Sequence, residues 1–192
     1  MQPTTQKTLE LAEQVAAVLR ARGVEPLLIG ALALAVHHHP RHTEDFDIAV
    51  ALPPDELREL AEALRSGERA VELSLPDADD PLGGVITVRA SGSAPVQIVN
   101  FDNTPAGGFP ALVRDAAASA ITIPELPIRV ASVVDLILFK LYAGGPKSEN
   151  DILELLARNR VDLDEVRRRC TEYRLHRELD ALLARIPAPS KR

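Results

Sequence analysis

Two aspartates separated by a single residue, Asp45 and Asp47, are the first candidates for chemistry in this sequence of 192 residues. Residues two apart in a strand project to the same face, so the pattern predicts two carboxylates side by side. Like charges that close are costly unless a cation lies between them. Such a pair suits one or two Mg²⁺ ions, which bind hard oxygen ligands and usually also substrate phosphates. On spacing alone, however, two aspartates of this kind are usually solvated residues at the start of a strand.

A glycine upstream of the pair, Gly30, supplies the second half of such a site. It lies between the apolar run 26–29 and the helix-forming run 31–36, an order that predicts a strand, a glycine turn and a helix. Glycine lets the backbone approach a phosphate closely, and the following helix offers free N–H groups and a positive dipole end. A phosphate site facing a metal site indicates a nucleotide.

Three further charged residues each have a structural interpretation. Arg41 could form an ion pair with Asp45 or Glu44. Lys140, on an apolar helix, could extend its charge to the surface from a buried stem. Asp151 could be a carboxylate at a helix N-terminus, stabilised by the helix dipole.

Histidines and arginines form two local clusters. The histidines could bind Zn²⁺ but lack a carboxylate or Cys at regular ligand spacing, so a polar rim beside the cleft is favoured. They are His37, His38, His39 and His42. The arginines are ordinarily a solvated surface, with an RNA-facing patch as the alternative. They are Arg167, Arg168, Arg169, Arg174 and Arg177.

Composition excludes several classes of protein. With 46% hydrophobic and 26% charged residues, the chain is neither disordered nor collagen-like. The single cysteine, Cys170, excludes an intrachain disulfide and a cysteine metal cluster. No run approaches the ~20 apolar residues that span a bilayer, and the first residues do not resemble a signal peptide. We therefore expect a cytoplasmic protein with no membrane partner.

The net charge of −6 is unevenly distributed. Residues 156–192 carry a formal charge of +4, and residues 1–155 carry −10. The acidic part is poorly suited to binding nucleic acid through counterion release, whereas the basic part could do so. Aromatic residues make up only 3% and Trp is absent, which argues against a base-stacking platform.

The pattern of elements predicts an α+β protein with helices grouped at one end. Strands are predicted over 26–29, 46–50, 71–75, 85–89 and 96–100, and helices over 5–22, 31–36 and 110–119 and after Pro53. Beyond Pro127 the chain is predicted to be helical, with helix starts marked by Ser132, Ser148 and Asp162. We expect a core at 1–125, a C-terminal helical region at 126–187 packed on it, and a disordered tail at 188–192.

Two blocks of the sequence resemble a known family. The first is Pro-Arg-His-Thr-Glu-Asp-Phe-Asp-Ile at 40–48, which follows the strand and glycine at Gly30. The second runs over 130–152, where the helical Lys140 precedes a loop and Asp151. Together they are similar to the polymerase-β-like nucleotidyltransferases, and most of all to the branch with the AbiEii-type toxins of toxin–antitoxin and abortive-infection systems. The similarity extends over about residues 25 to 157.

The resemblance implies a fold, an activity and a set of site residues. It implies a nucleotidyltransferase-like mixed sheet of about five strands with flanking helices. The implied activity transfers a nucleotidyl group from a nucleoside triphosphate to an acceptor hydroxyl, on tRNA or a protein for example, and the implied partner is an antitoxin. Asp45 and Asp47 would bind Mg²⁺ and act in catalysis with Lys140. The implied nucleotide-binding residues are Gly30, the backbone of Ala31, Arg41, Thr43, Lys140 and Asp151.

The sequence departs from the family pattern at two points. The usual Gly-Ser or Gly-Gly is Gly30-Ala31, which removes a hydroxyl but keeps the backbone donors. The third carboxylate, expected on the strand at 95–101, is replaced by Gln97, with Asp102 as a possible substitute. An amide coordinates a metal weakly and cannot accept a proton at neutral pH. Three hypotheses follow: an active transferase, a weak or inactive nucleotide-binding protein, and, less favoured, a metal-dependent phosphoesterase.

Overall fold

The computed structural model describes residues 4–43, 45–65, 69–76, 82–103 and 109–185. Within these ranges it contains six strands and eight helices, which confirms the α+β class. The strands are β1 (Leu27–Leu28), β2 (Phe46–Val50), β3 (Ala70–Ser74), β4 (Val85–Arg89), β5 (Val96–Asn100) and β6 (Arg129–Val130). The helices are α1 (Thr5–Ala21), α2 (Gly30–Val36), α3 (Pro54–Leu64), α4 (Pro110–Ser119), α5 (Val133–Ala143), α6 (Gly145–Arg158), α7 (Leu163–Glu172) and α8 (His176–Leu183).

The strands form one mixed sheet in the order β3-β4-β5-β2-β1-β6. The central strands β2 and β5 are parallel, while β2 is antiparallel to β1 and β4 is antiparallel to both of its neighbours. Five of the strands were expected. The prediction of helix from Pro127 onward was wrong at β6, which pairs in parallel with β1. Two residues are too few to show a strand period, so only the pairing with β1 defines this strand.

The two faces of the sheet differ in burial. Phe46, Ile48 and Val50 of β2 are buried, as are their β5 neighbours Val96 and Ile98. The alternate residues of these strands and of β4 project from the opposite face, where most remain half-buried or exposed. One face of the sheet therefore belongs to the core, and the other presents Asp47 and its neighbours.

A buried carboxylate, that of Asp135, joins three helices of the C-terminal half. Its side chain is fully buried and accepts hydrogen bonds from Ser119 (2.7 Å), Ser132 (2.6 Å) and Arg169 (2.8 Å). The expectation that Arg169 lies on a solvated surface was therefore wrong, because its side chain is only 13% exposed. This ion pair could not be seen in the sequence because the two residues lie on different helices.

The neighbouring arginines on α7 are paired with carboxylates of their own helix. Arg167 lies 3.5 Å from Asp164, and Arg168 forms ion pairs with Glu165 and Glu172. Most of the positive charge expected for an RNA-facing patch is thus balanced locally. Arg174 and Arg177 are exposed.

Helix α6 begins three residues before the predicted start at Ser148. Gly144 and Gly145 both have positive φ angles, of 65° and 80°, and Pro146 follows them in the first turn of the helix. Proline is well suited to that position because its missing N–H would have no partner there. Asp151 is then the seventh residue of α6. It lies beyond the first turn, and the helix dipole acts mainly within that turn. Its charge therefore needs a different explanation.

Two expectations concern the ends and the environment of the chain. The tail predicted at 188–192 lies outside the described residues. Among the residues that are described, no helix is both long enough and apolar enough to cross a membrane.

Candidate active site

The two aspartates lie at the start of β2, on the open face of the sheet. Asp47 is the second residue of β2, and Asp45 is the residue directly before the strand begins. The Thr43 hydroxyl donates to the Asp45 carbonyl oxygen (3.2 Å) and accepts from the Asp45 N–H (3.4 Å). Thr43 is exposed, and its hydroxyl contacts the backbone that precedes β2.

Gly30 and Asp47 are in direct contact. Gly30 has a φ angle of +68°, which side-chain-bearing residues rarely adopt. A Cβ atom at this position would overlap the Asp47 carboxylate, lying 2.6 Å from its Cγ atom. Two independent constraints therefore require glycine here. The methyl group of Ala31 is buried in the core, so only its backbone could face a ligand.

The electrostatics of Asp47 are unfavourable in the protein alone. Burial, followed by the negative charge of Asp45, raises the pKa of Asp47 to about 6. The positive charges of Lys140, Arg41 and Lys147 act in the opposite direction without cancelling this effect. A cation that binds beside such a carboxylate stabilises its ionised form.

Asp151 is the centre of a second cluster of charges. Lys140 Nζ lies 2.8 Å from Asp151 Oδ2, while His39 Nε2 (3.1 Å) and Arg41 Nε (3.5 Å) approach Oδ1. The Asp151 side chain is only 2% exposed. Burial acts to raise the pKa of Asp151, but the hydrogen bond and charge of Lys140, then Arg41 and His39, outweigh it and lower the pKa.

The Asp151 cluster shows which ion pairs these residues form in the protein alone. The Lys140 ammonium is held against Asp151 and is only 16% exposed, so it does not extend freely into solvent. Arg41 approaches Asp151 rather than Asp45, and Glu44 lies outside the described residues. Arg41 Nε is also buried, and within the described part of the chain it has no hydrogen-bond partner. Both basic residues remain close enough to Asp47 to affect its pKa.

Gln97 is the residue of β5 that lies beside Asp47. It is the direct neighbour of Asp47 in the parallel pairing of β5 with β2 and projects from the same face. Asp102, the other candidate, lies beyond Asn100, which pairs with Val50 three residues further along β2. Three residues of strand span about 10 Å. Of the two candidates, only Gln97 is beside Asp47.

The histidines separate into different environments. His37 Nε2 is 2.8 Å from the carbonyl oxygen of Ala131, and His39 contacts Asp151. In the described residues, no group of three or more His, Cys, Asp or Glu side chains is arranged to hold a metal ion. The site thus offers two carboxylates and an amide, without a zinc-type histidine cluster.

Lys147 was not singled out from the sequence, and His39 was expected only as part of a polar rim beside the cleft. His39 and Arg41 flank Pro40, which favours an extended backbone before it, and residues two apart in extended chain share a side. That spacing could have indicated that His39 accompanies Arg41. Lys147 carries no comparable signal, because only the turn at Gly144 brings it near Asp47.

Comparisons with known proteins identify a family and similar folds. A family model described as nucleotidyl transferase AbiEii toxin, type IV toxin–antitoxin system, matches residues 21–191. The fold is similar to the solution structure of the antibiotic-resistance factor ANT(2'')-Ia, with 13% identity, a TM-score of 0.51, and 94% of this chain and 95% of that chain covered.

A second solved structure is similar over the same extent. It is an antigenic nucleotidyltransferase-like protein from Paracoccidioides brasiliensis, with 14% identity, a TM-score of 0.50, and 96% of this chain and 95% of that chain covered. At these identities the likeness concerns the fold alone. No curated protein matches the sequence. Because the family model covers most of its length, the chain belongs to the AbiEii family of nucleotidyltransferase toxins.

Proposed function

We propose that this protein binds a nucleoside triphosphate together with Mg²⁺ and transfers the nucleotidyl group to an acceptor hydroxyl. One observation carries the proposal: the Asp47 carboxylate lies against Gly30 and beside Asp45, within reach of the positive charges of Arg41, Lys140 and Lys147. Carboxylates for a metal and basic groups for phosphates thus meet at the start of the interior strand β2.

The donor set fits Mg²⁺. Asp45 and Asp47 offer carboxylate oxygens, and the Gln97 amide oxygen is a further hard donor on the neighbouring strand. Magnesium is commonly held by one or two carboxylates, with substrate phosphates and water completing its coordination. When bound, the metal would neutralise charge on the phosphates of the nucleotide. The raised pKa of Asp47 supports this assignment, because a nearby cation would favour its ionised form.

The basic residues would bind the triphosphate. The exposed Lys147 and the partly buried Lys140 and Arg41 surround the carboxylates. Asp151 would act as a positioning residue, because its carboxylate contacts Lys140, Arg41 and His39 at once. The backbone N–H groups of Gly30 and Ala31 would also contact a phosphate. Positioning and charge neutralisation would then account for catalysis.

Membership of the AbiEii family supports a toxin role with an antitoxin as partner. An acceptor hydroxyl on tRNA or a protein would have to lose its proton, and the Gln97 amide cannot take it at neutral pH.

The exposed Arg174 and Arg177 are the remaining candidates for contacting tRNA. Each such contact would steepen the log–log salt dependence of binding by about 0.7 for single strands, and filter binding at low and physiological salt measures it. No binding at low salt would remove tRNA from this proposal.

A second function is favoured by the same glutamine. A protein that binds nucleotide without transferring it needs the carboxylate pair and the basic residues but no proton acceptor. Gln97, next to Asp47, is the observation that supports this alternative. The two functions share the nucleotide site and differ only in turnover.

Calorimetric titration with non-hydrolysable triphosphates, with and without Mg²⁺, tests the shared site. We expect binding that depends on Mg²⁺ and is lost in the Asp45→Asn and Asp47→Asn variants. Asp164→Asn is the matched control, because that carboxylate is exposed on α7. Equal affinity with and without metal would contradict the proposal. Release of pyrophosphate from a hydrolysable triphosphate in the presence of an RNA and protein pool then separates transferase from binding protein.

A further inference from the structure

The open face of the sheet extends well beyond the carboxylate pair. Cross-strand pairing places Asp47, Gln97, Thr87 and Glu72 in one row over β2, β5, β4 and β3. Residues paired in this way project from the same face. Gln97 and Thr87 are half-buried, and Glu72 at the outer edge is exposed. An acceptor approaching the reacting phosphorus near Asp47 would meet this row.

Gln97 defines the kind of oxygen that can react there. A carboxylate in its place would take a proton from a neutral hydroxyl but would repel an oxygen that is already negative. An amide has the opposite preference, because its NH₂ group donates hydrogen bonds and carries no charge. The position next to Asp47 is therefore suited to an anionic oxygen, which needs no base to attack.

Two donors adjoin Gln97 on the same face. Thr87 is its direct partner on β4, and Arg89 is its diagonal neighbour. Diagonal neighbours on antiparallel strands have Cβ atoms about 7 to 8 Å apart, within reach of a long side chain. Arg89 is exposed and, in the described part of the chain, forms no ion pair or side-chain hydrogen bond. The negative Glu72 is the direct partner of Thr87 on β3 and a diagonal neighbour of Arg89, and it lies about 10 Å from Gln97.

We propose that the acceptor is a phosphate monoester, bound by Gln97, Thr87 and Arg89 beside the metal-binding carboxylates. This inference rests on the proposed nucleotidyl transfer and replaces a hydroxyl acceptor by a phosphate oxygen. A phosphate group offers three acceptor oxygens to these donors, and the guanidinium can bind two of them. The positive charge of Arg89 would thereby be matched by the negative charge of the acceptor.

The reaction balances without a base. One oxygen of the phosphate dianion forms a bond to the α-phosphorus of the triphosphate. The bond from the α-phosphorus to the oxygen bridging to the β-phosphorus breaks, and pyrophosphate leaves with the electron pair. No proton is transferred, and the total charge is conserved. The product is a nucleotidyl group joined to the acceptor through a new pyrophosphate linkage.

The test uses the full chain with Mg²⁺, each of the four common ribonucleoside triphosphates and simple acceptors. Radiolabelled inorganic phosphate should appear in the β-position of nucleoside diphosphate, which requires its bonding to the α-phosphorus. Glycerol 3-phosphate should give a phosphatase-resistant product from an α-labelled triphosphate. Glycerol, the matched acceptor without phosphate, should react at least about tenfold more slowly.

Variants connect this activity to the proposed residues. Arg89→Gln should raise the KM for glycerol 3-phosphate by about tenfold to a hundredfold, the usual range for losing a charged hydrogen bond. The KM for the triphosphate should stay within about twofold. Gln97→Glu should reduce transfer to glycerol 3-phosphate and increase transfer to glycerol. The control is Arg114→Gln, which removes an exposed arginine on α4 and should change neither value.

The outcomes separate this inference from the function on which it rests. Transfer to glycerol or to an RNA and protein pool, but not to either phosphate acceptor, overturns the phosphate acceptor and retains the transferase. An unchanged acceptor KM in Arg89→Gln overturns the assignment of the binding residues. Mg²⁺-dependent triphosphate binding without transfer to any acceptor overturns both the inference and the transferase. Melting curves and triphosphate titrations of each variant show that a loss is not due to unfolding.

Discussion

Asp47 and Asp151 are two aspartates with little solvent exposure whose pKa values are shifted in opposite directions. The pKa of Asp47 is raised to about 6 by burial and the neighbouring Asp45. The pKa of Asp151 is lowered, since Lys140, Arg41 and His39 outweigh the effect of burial. The charge of Asp151 is thus balanced by basic residues of the protein itself, whereas no basic side chain in the described part of the chain forms an ion pair with Asp47. The state of Asp151 is the one expected of a positioning residue, and the state of Asp47 is the one expected of a ligand for a cation.

The largest expected effect is on stability when Asp151 loses its charge. Asp151→Asn keeps the size of the side chain but leaves Lys140 and Arg41 without their shared counterion. Breaking a buried ion pair on one side is strongly destabilising, and we expect a loss of about 3 kcal/mol in the free energy of unfolding. Denaturant unfolding at neutral pH measures it. Asp180→Asn, an exposed residue on α8, is the control and should change stability by no more than about 0.5 kcal/mol.

The next effect concerns the contact between Gly30 and Asp47. Gly30→Ala should destabilise the protein by about 2 kcal/mol or more and abolish triphosphate binding, because the new methyl group overlaps the carboxylate. Gly23→Ala is a matched control, since Gly23 also has a positive φ but nothing lies within 4 Å of its Cβ position. Unfolding curves should show the smaller loss there.

A double variant sharpens the same comparison. Asp47→Ala removes the carboxylate that the methyl group would meet, so it should restore part of the stability lost in Gly30→Ala. Strict additivity of the two changes in a double-mutant cycle would show that the contact is not the cause.

The smallest expected change is a gain in stability. A raised pKa means that the folded protein holds the Asp47 proton up to about pH 6, while the unfolded chain releases it near 3.8. This group therefore costs stability as the pH rises through that window. Asp47→Asn should be more stable than wild type by about 2 kcal/mol at pH 7, and the difference should vanish below pH 4.

Asp151 should show the reverse pH dependence. Its pKa is lowered, so its contribution is present above its ordinary value and is lost as acid protonates it in the folded state. The stability difference between wild type and Asp151→Asn should therefore shrink with decreasing pH. The same sign of pH dependence in the two variants would contradict the contrast between these residues.

Most of the secondary structure could be predicted from the sequence, but only part of the candidate site could. Five strands and the glycine turn could be predicted because each has a local signal, such as alternation or a punctuating Gly or Pro. The strand β6 could not, because it lacks the continuous apolar run and the following glycine that marked the equally short β1. The contacts of Asp151 with His39 and Arg41, over one hundred residues away in the chain, arise only from packing. The position of Gln97 beside Asp47 likewise depends on the register of two strands that are distant in sequence.

The measurement that tests the central claim most directly is a crystal structure with Mg²⁺ and a non-hydrolysable triphosphate. We expect a metal ion bound by Asp45 and Asp47, phosphates in contact with Arg41 and Lys140, and an Asp151 carboxylate that contacts neither metal nor nucleotide. A nucleotide bound elsewhere, or a metal ion held by Asp151 instead of Asp47, would contradict the account.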